Sequence, residues 1–186
     1  MHAWNARPGE RESSGAAGAS TRVSIRDVTD EDLKALLELW HELMDLHVAL
    51  DERFQLAPNA DQRFYGYIET ARSRDDYFVR LAADGPEIVG FAVSCILPNS
   101  PVYQTRWIGY INDLCVAKAA RRQGIGKRLA VDAVRWLTQS GAETVEVYVA
   151  KRNQTAVDFW HRIGGTDYLE RLTLDVERLQ GKSRAK

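Results

Sequence analysis

Leu114-Cys115-Val116-Ala117-Lys118-Ala119-Ala120-Arg121-Arg122-Gln123-Gly124-Ile125-Gly126-Lys127-Arg128-Leu129 runs from an apolar strand through a basic, glycine-containing turn into a helix. Gly124 and Gly126 lack a Cβ, so the backbone there can take unusual dihedrals and approach a ligand closely. The first N–H groups of the helix have no intrahelical partner. Those donors, the positive end of the helix dipole and the charges of Arg121, Arg122 and Lys127 all favour an anion. A nucleoside-triphosphate loop requires glycine where Arg121 stands and Ser or Thr where Arg128 stands, so that motif fails. A dinucleotide fingerprint requires a third glycine where Leu129 stands, and its acidic partner would be Glu146, which falls inside the next strand.

Upstream, Val23-Ser24-Ile25 alternates as a first strand, and Thr29-Asp30-Glu31-Asp32 matches a capping box. Leu33, Leu36, Leu37, Trp40, Leu43, Met44 and His47 then form one apolar helical stripe. His41 and His47 lack metalloprotease spacing and are expected to be packed residues. Residues 51 to 62 read as a loop, Phe64 to Ala71 as a second helix, and this helical pair is expected to form a lid. Tyr77–Leu81 and Ile88–Val93, joined by Asp84-Gly85-Pro86, read as antiparallel strands, followed by a strand over Trp107–Val116.

Downstream of the glycine turn, a helix from Gly124 to Leu137 buries Ile125, Leu129, Ala133, Val134 and Leu137 and ends at Gly141. Val145–Val149 is the next strand, and Asn153 opens a short helix that Gly164-Gly165 closes. A last strand is expected over Tyr168–Leu174. The element order predicts an α/β fold with a mixed sheet: antiparallel on its N-terminal side, with a parallel pair of strands flanking the glycine turn.

The chain has 186 residues, 45% of them hydrophobic and 27% charged, the composition of one globular domain over residues 21–177. Residues 1–20 are too poor in large apolar side chains to pack and are expected to be a disordered leader; residues 178–186 are expected to be a flexible basic tail. The net charge of −1 gives no overall basic bias toward nucleic acid. No run is long enough to span a membrane, and no signal-peptide core is present. Cys95 and Cys115 read as free buried thiols in a reducing compartment, so a cytoplasmic location is expected.

Arg121-Arg122-Gln123-Gly124-Ile125-Gly126 resembles the (Gln/Arg)-x-x-Gly-x-(Gly/Ala) diphosphate loop of the GCN5-related N-acetyltransferases. Asn153-Gln154-Thr155-Ala156-Val157-Asp158-Phe159-Trp160 resembles that family's second motif, Asn-x-x-Ala-x-x-Phe-Tyr, except at Trp160. The resemblance implies that acetyl-CoA is the co-substrate and that no metal takes part. It implies that the cofactor contacts Leu114, Cys115, Val116, Arg121, Arg122, Gln123, Gly124, Ile125, Gly126, Lys127, Asn153, Phe159 and Trp160. The implied reaction is acetyl transfer to a primary amine by direct attack in a ternary complex.

In that reaction a backbone N–H near Leu114 to Val116 would hold the oxyanion, and Asp113 would be the base. The family's acid is a tyrosine where Trp160 stands, and an indole N–H is effectively no acid, so Tyr168, Tyr148, a water or departure of CoA as a thiolate must serve. Ile111-Asn112-Asp113-Leu114-Cys115-Val116 is similar to the diamine and polyamine branch, which has glutamate where Asn112 stands. The expected partners are a small-molecule amine or protein amino group and a second copy in a homodimer, without nucleic acid or membrane. The rival reading is an acyl-CoA sensor or catalytically inactive module that retains the fold.

Overall fold

The computed structural model describes residues 23–181, so the expected leader at 1–20 and the last five tail residues lie outside the described residues. A five-stranded sheet of order β1-β2-β3-β4-β5 forms the centre. Its strands are β1 (Ser24–Asp27), β2 (Tyr77–Asp84), β3 (Glu87–Pro98), β4 (Trp107–Val116) and β5 (Thr144–Val147). The first four are antiparallel neighbours, whereas β4 and β5 run parallel, as the element order predicts.

Two helices, α1 (Leu33–Leu50) and α2 (Ala60–Arg72), cover one face. Between them and the sheet lies a core that includes Leu36, Leu39, Phe64, Ile68, Phe91, Val93 and Cys115. Leu36 and Ile68 are fully buried, so this pair is a structural layer rather than the expected lid. The opposite face carries α3 (Ile125–Gln139), whose Leu129, Ala133 and Leu137 pack on Ala82, Ala92 and Ile111. Gly90 and Gly109 permit that close approach. A Cβ at Gly90 would lie 2.8 Å from the Cys115 carbonyl oxygen, and one at Gly109 would lie 3.0 Å from Leu137.

The helix ends follow their sequence signals. Asp32 takes Arg26 in a two-pronged bond of 2.6 and 2.7 Å and also accepts from the Thr29 amide and hydroxyl. Gly141 adopts φ 100°, which lets the Ala142 amide reach back to the Leu137 carbonyl, 2.9 Å away. Past α4 (Gln154–Arg162) the expected strand over Tyr168–Leu174 is absent: the chain has no regular secondary structure there and joins no sheet before a short α5 (Val176–Leu179). Its alternation marks a segment able to pair, and no free edge of its own chain receives it. β5 likewise stops at Val147, short of the expected Val149, because its pairing with β4 ends there.

Candidate active site

The site is built where β4 loses its parallel partner. β5 pairs with Ile108 to Ile111 only, so the rest of β4 diverges from it and the sheet opens into a fork. The pairing of β3 with β4 jumps from Val93↔Asp113 to Ser94↔Ile111, which leaves Asn112 as an extra, bulged residue at the branch point. The Ala117 amide donates to the Val89 carbonyl, 2.9 Å away, on the β3 side. Alternation along an antiparallel strand therefore turns the amides of Leu114 and Val116 away from β3 and into the fork.

The glycine turn closes one mouth of the fork. Arg122 and Gly124 adopt φ 66° and 80°, and the first intrahelical bond of α3 runs from the Arg128 amide to the Gly124 carbonyl, 3.1 Å. The amides of Ile125, Gly126 and Lys127 thus have no helical acceptor, and left-handed residues alternating with ordinary ones form an anion-binding concavity. Gly126 sits against α4, where an added Cβ would meet the Phe159 ring at 3.4 Å. Turn and α4 therefore share a wall, and this cradle suits a diphosphate.

Arg121 is tied back to the protein at the start of the turn. Its Nε donates to the Val116 carbonyl at 2.9 Å, and its terminal nitrogen pairs with Glu42 of α1 at 2.5 Å. Its charge is thereby engaged within the protein, and the residue ties the end of β4 to α1. Asn153 caps α4 by accepting from the Ala156 amide at 3.1 Å. Trp160 packs edge-on to Phe159, with ring centroids 5.0 Å apart, and rests on the α3-side core. Cys115 points the other way, into the α1 and α2 core, where burial pushes its thiol up to about 12. A thiol so held is not a nucleophile.

The face of the fork toward α1 and α2 carries a second group of side chains. Part of Asp113 reaches the surface while its carboxyl group sits among protein atoms, which pushes its pKa up to about 6; the Tyr67 hydroxyl, directed at it, pulls the value partly back. The Tyr67 phenol is in turn driven well above its ordinary range by burial and by the Asp113 charge. Cys95 lies opposite Tyr110 in the sheet, and its thiol interacts with the side chains of Asn112 and Tyr77.

Tyr110 meets Tyr148 at a ring separation of 4.9 Å, and burial and that neighbour push its phenol up to about 12. Val145 and Val147 pack toward α3, so Glu146 between them shares the opposite face with its register partner Tyr110. Tyr67 and Tyr110 were not singled out from sequence, and Glu146 was weighed there only as the acidic partner of a dinucleotide motif; the signal for its place here was a lone carboxylate alternating with two valines. Tyr168, by contrast, lies on the irregular segment after α4, is 75% exposed and makes no ring contact or hydrogen bond among the described residues. Among the described residues no group of three or more His, Cys, Asp and Glu side chains could hold a metal, and no helix is long and apolar enough to cross a membrane.

Comparison with known proteins bears on this geometry. An uncharacterized N-acetyltransferase of Methanocaldococcus jannaschii is 27% identical over 76% of this chain and 59% of its own. The chloroplastic GCN5-related N-acetyltransferase 6 of Arabidopsis thaliana is 46% identical over 30% of this chain and 19% of its own, so the chain spans under two thirds of either relative. In fold, an aminoglycoside N-acetyltransferase solved in complex with CoA superposes with a TM-score of 0.67 at 15% identity, over 83% of this chain and 94% of that one. A Bacillus halodurans protein does so with a TM-score of 0.72 at 23% identity, over 82% and 98%. The model of the acetyltransferase (GNAT) family matches residues 35–165, which span the fork, the glycine turn and α4, and the chain belongs to that family.

Proposed function

We propose that this chain is an acetyl-CoA-dependent N-acetyltransferase that moves an acetyl group to a primary amine by direct attack in a ternary complex. The observation that carries the reading is the fork itself, with unpaired strand amides inside it, an anion cradle at one mouth and Asp113 on the facing side. Acetyl-CoA supplies the activated acyl thioester. The turn amides from Ile125 to Lys127 hold its diphosphate, and Gly126 and Asn153 line the path of its arm. The Leu114 amide stabilises the charge that develops on the carbonyl oxygen, and being fixed in the strand it needs no reorganisation to do so.

Asp113 takes the proton that an ammonium substrate must lose, through a water; a pKa of about 6 leaves it charged near neutrality yet basic enough to accept. Tyr148, which stands at the fork against Tyr110, returns a proton to the departing sulfur, a role the Trp160 indole cannot fill. The acceptor is a small cationic amine, for which Glu146 and the Tyr110 and Tyr148 rings offer charge and aromatic faces. Aminoglycoside acetyltransferases among the fold neighbours fit that class. Two free thiols fit action in the reducing cytoplasm.

The test is release of CoA thiol from acetyl-CoA across a panel of diamines, aminoglycosides, amino acids and peptide N-termini. Turnover with a small amine is expected. Saturable acetyl-CoA binding with every amine silent would instead favour a sensor, the reading to which Trp160, half-buried against the α3-side core where the family carries its acid, lends support.

A further inference from the structure

Ile111, Leu114 and Val116 of β4 face the α3-side core, whereas Cys115 faces α1 and α2. In an unbroken strand Asp113 would share the face of Ile111. The extra residue at Asn112 reverses the alternation, so Asn112 and Asp113, neighbours in sequence, both point toward α1 and α2. Asn112 meets the Cys95 thiol there, and Asp113 meets the Tyr67 hydroxyl.

Tyr67 stands on the buried stripe of α2. Phe64, Ile68 and Ala71 anchor that stripe in the core, and the Tyr67 ring centre lies 6.5 Å from those of Phe64 and Tyr77, which fixes where the phenol ends. A tyrosine on an apolar stripe must find an acceptor for its hydroxyl. Val93, the partner of Asp113 across the sheet, offers none, and the Cys115 thiol is engaged with the Leu39 carbonyl at 3.4 Å, so the hydroxyl is left to the carboxylate.

The other titratable groups facing this pair are Tyr77 of β2, Cys95 of β3 and Tyr110 and Cys115 of β4, all phenols or thiols that are neutral near pH 7. Glu42 of α1 acts on Cys115 but is paired with Arg121, and Glu146 shares the face of Tyr110. Burial opposes the charge of Asp113, and Tyr67 is the one side-chain donor that supports it among the described residues.

We propose that Tyr67 is the positioning residue of the acetyl-transfer site: from α2 it donates to one oxygen of the Asp113 carboxylate, keeps that group ionised inside the fork and fixes the other oxygen toward the acceptor amine. The inference rests on Asp113 serving as the base. A phenol suits the task because it donates to a carboxylate while remaining neutral. Asp32 shows the alternative: forked by Arg26, its carboxyl is held well below the usual range, too weak a base for an ammonium.

Tyr67→Phe removes the hydroxyl and keeps the ring. The first readout is the carbon-13 titration of the Asp113 carboxyl in aspartate-labelled protein without acetyl-CoA, assigned by its loss in Asp113→Asn. The acid constant is expected to fall about tenfold in the variant, the effect of losing one hydrogen bond to a charged group. The second readout is the pH profile of kcat/KM, whose rise should move to higher pH by the same factor. At pH 6, close to the wild-type value, kcat/KM should drop about fivefold, with KM for acetyl-CoA unchanged.

A carboxyl that titrates identically in the two folded proteins would overturn the assignment, whatever the amines show. Silence of the wild type toward every amine, with the titration shifted as expected, would instead mark failure of the acetyltransferase reading on which the inference rests. If Tyr67→Phe does not fold, 3-fluorotyrosine placed at position 67 alone decides. Its fluorine resonance should titrate with Asp113 and stay flat in Asp113→Asn; a resonance flat in the otherwise unchanged chain would overturn the contact.

Discussion

Asp113→Asn separates the catalytic demand on this carboxylate from its structural cost. Burial raises its pKa to about 6 from 3.8, so the folded state binds its proton more tightly than the unfolded state does. The charged form is therefore a destabilising one: no penalty exists below about pH 4, and it grows as pH rises through about 6. At about 1.4 kcal/mol per pKa unit, the gap corresponds to about 3 kcal/mol above pH 7. The asparagine variant, which is never charged, should be more stable than the wild type by about that amount at pH 8 and by little at pH 4, as read by urea unfolding at the two pH values. The same variant should lose most acetyl transfer, and wild-type kcat/KM should rise with pH through an apparent pKa near 6. A variant equally or less stable at pH 8 would refute the argument that this carboxyl is held charged against its burial.

Other substitutions test other parts of the structure. Asp32 is the opposite electrostatic case, since the Arg26 fork holds its carboxyl well below the usual range. Asp32→Asn should cost about 2 kcal/mol at pH 7, and the difference should close as pH falls below about 4, toward the folded-state value. Gly90→Ala would place a methyl 2.8 Å from a backbone oxygen and should destabilise by about 1–3 kcal/mol, whereas Gly66→Ala in α2 meets nothing within 4 Å and should stabilise by about 0.5–1 kcal/mol in thermal unfolding. Glu146→Gln should raise KM for a diamine about tenfold with little change in kcat, and leave a monoamine of equal length unaffected.

The parts of this molecule that were legible in its sequence are those in which residue type answers a backbone need. Gly124 and Gly141 announce left-handed turns, Asn153 a helix start, and the valine and isoleucine runs the strands. What was not legible depends on where pairing stops. Nothing in Asn112 marks it as a bulge, and nothing in Val147 marks the end of parallel pairing, yet those two points create the fork. The pairing of Arg121 with Glu42, 79 residues earlier, likewise has no local signal. Leu172 and Leu174 alternate as a strand should, but alternation specifies a face to bury and not the edge that will receive it. The hydrogen-bond partner of Asp113 is likewise supplied by α2, through Tyr67, and by no residue next to it in the chain.

The fork and the glycine turn are proposed together to form the acetyl-CoA cleft. Calorimetric titration of CoA into the wild type and into Gly124→Asp tests it most directly, because the substitution puts a carboxylate at the proposed diphosphate and an L side chain at φ 80°, where nothing else within 4 Å would be disturbed. Saturable binding to the wild type is predicted, weakened at least about tenfold in the folded variant. Absence of binding to the wild type, or equal affinity in the two proteins, would contradict it.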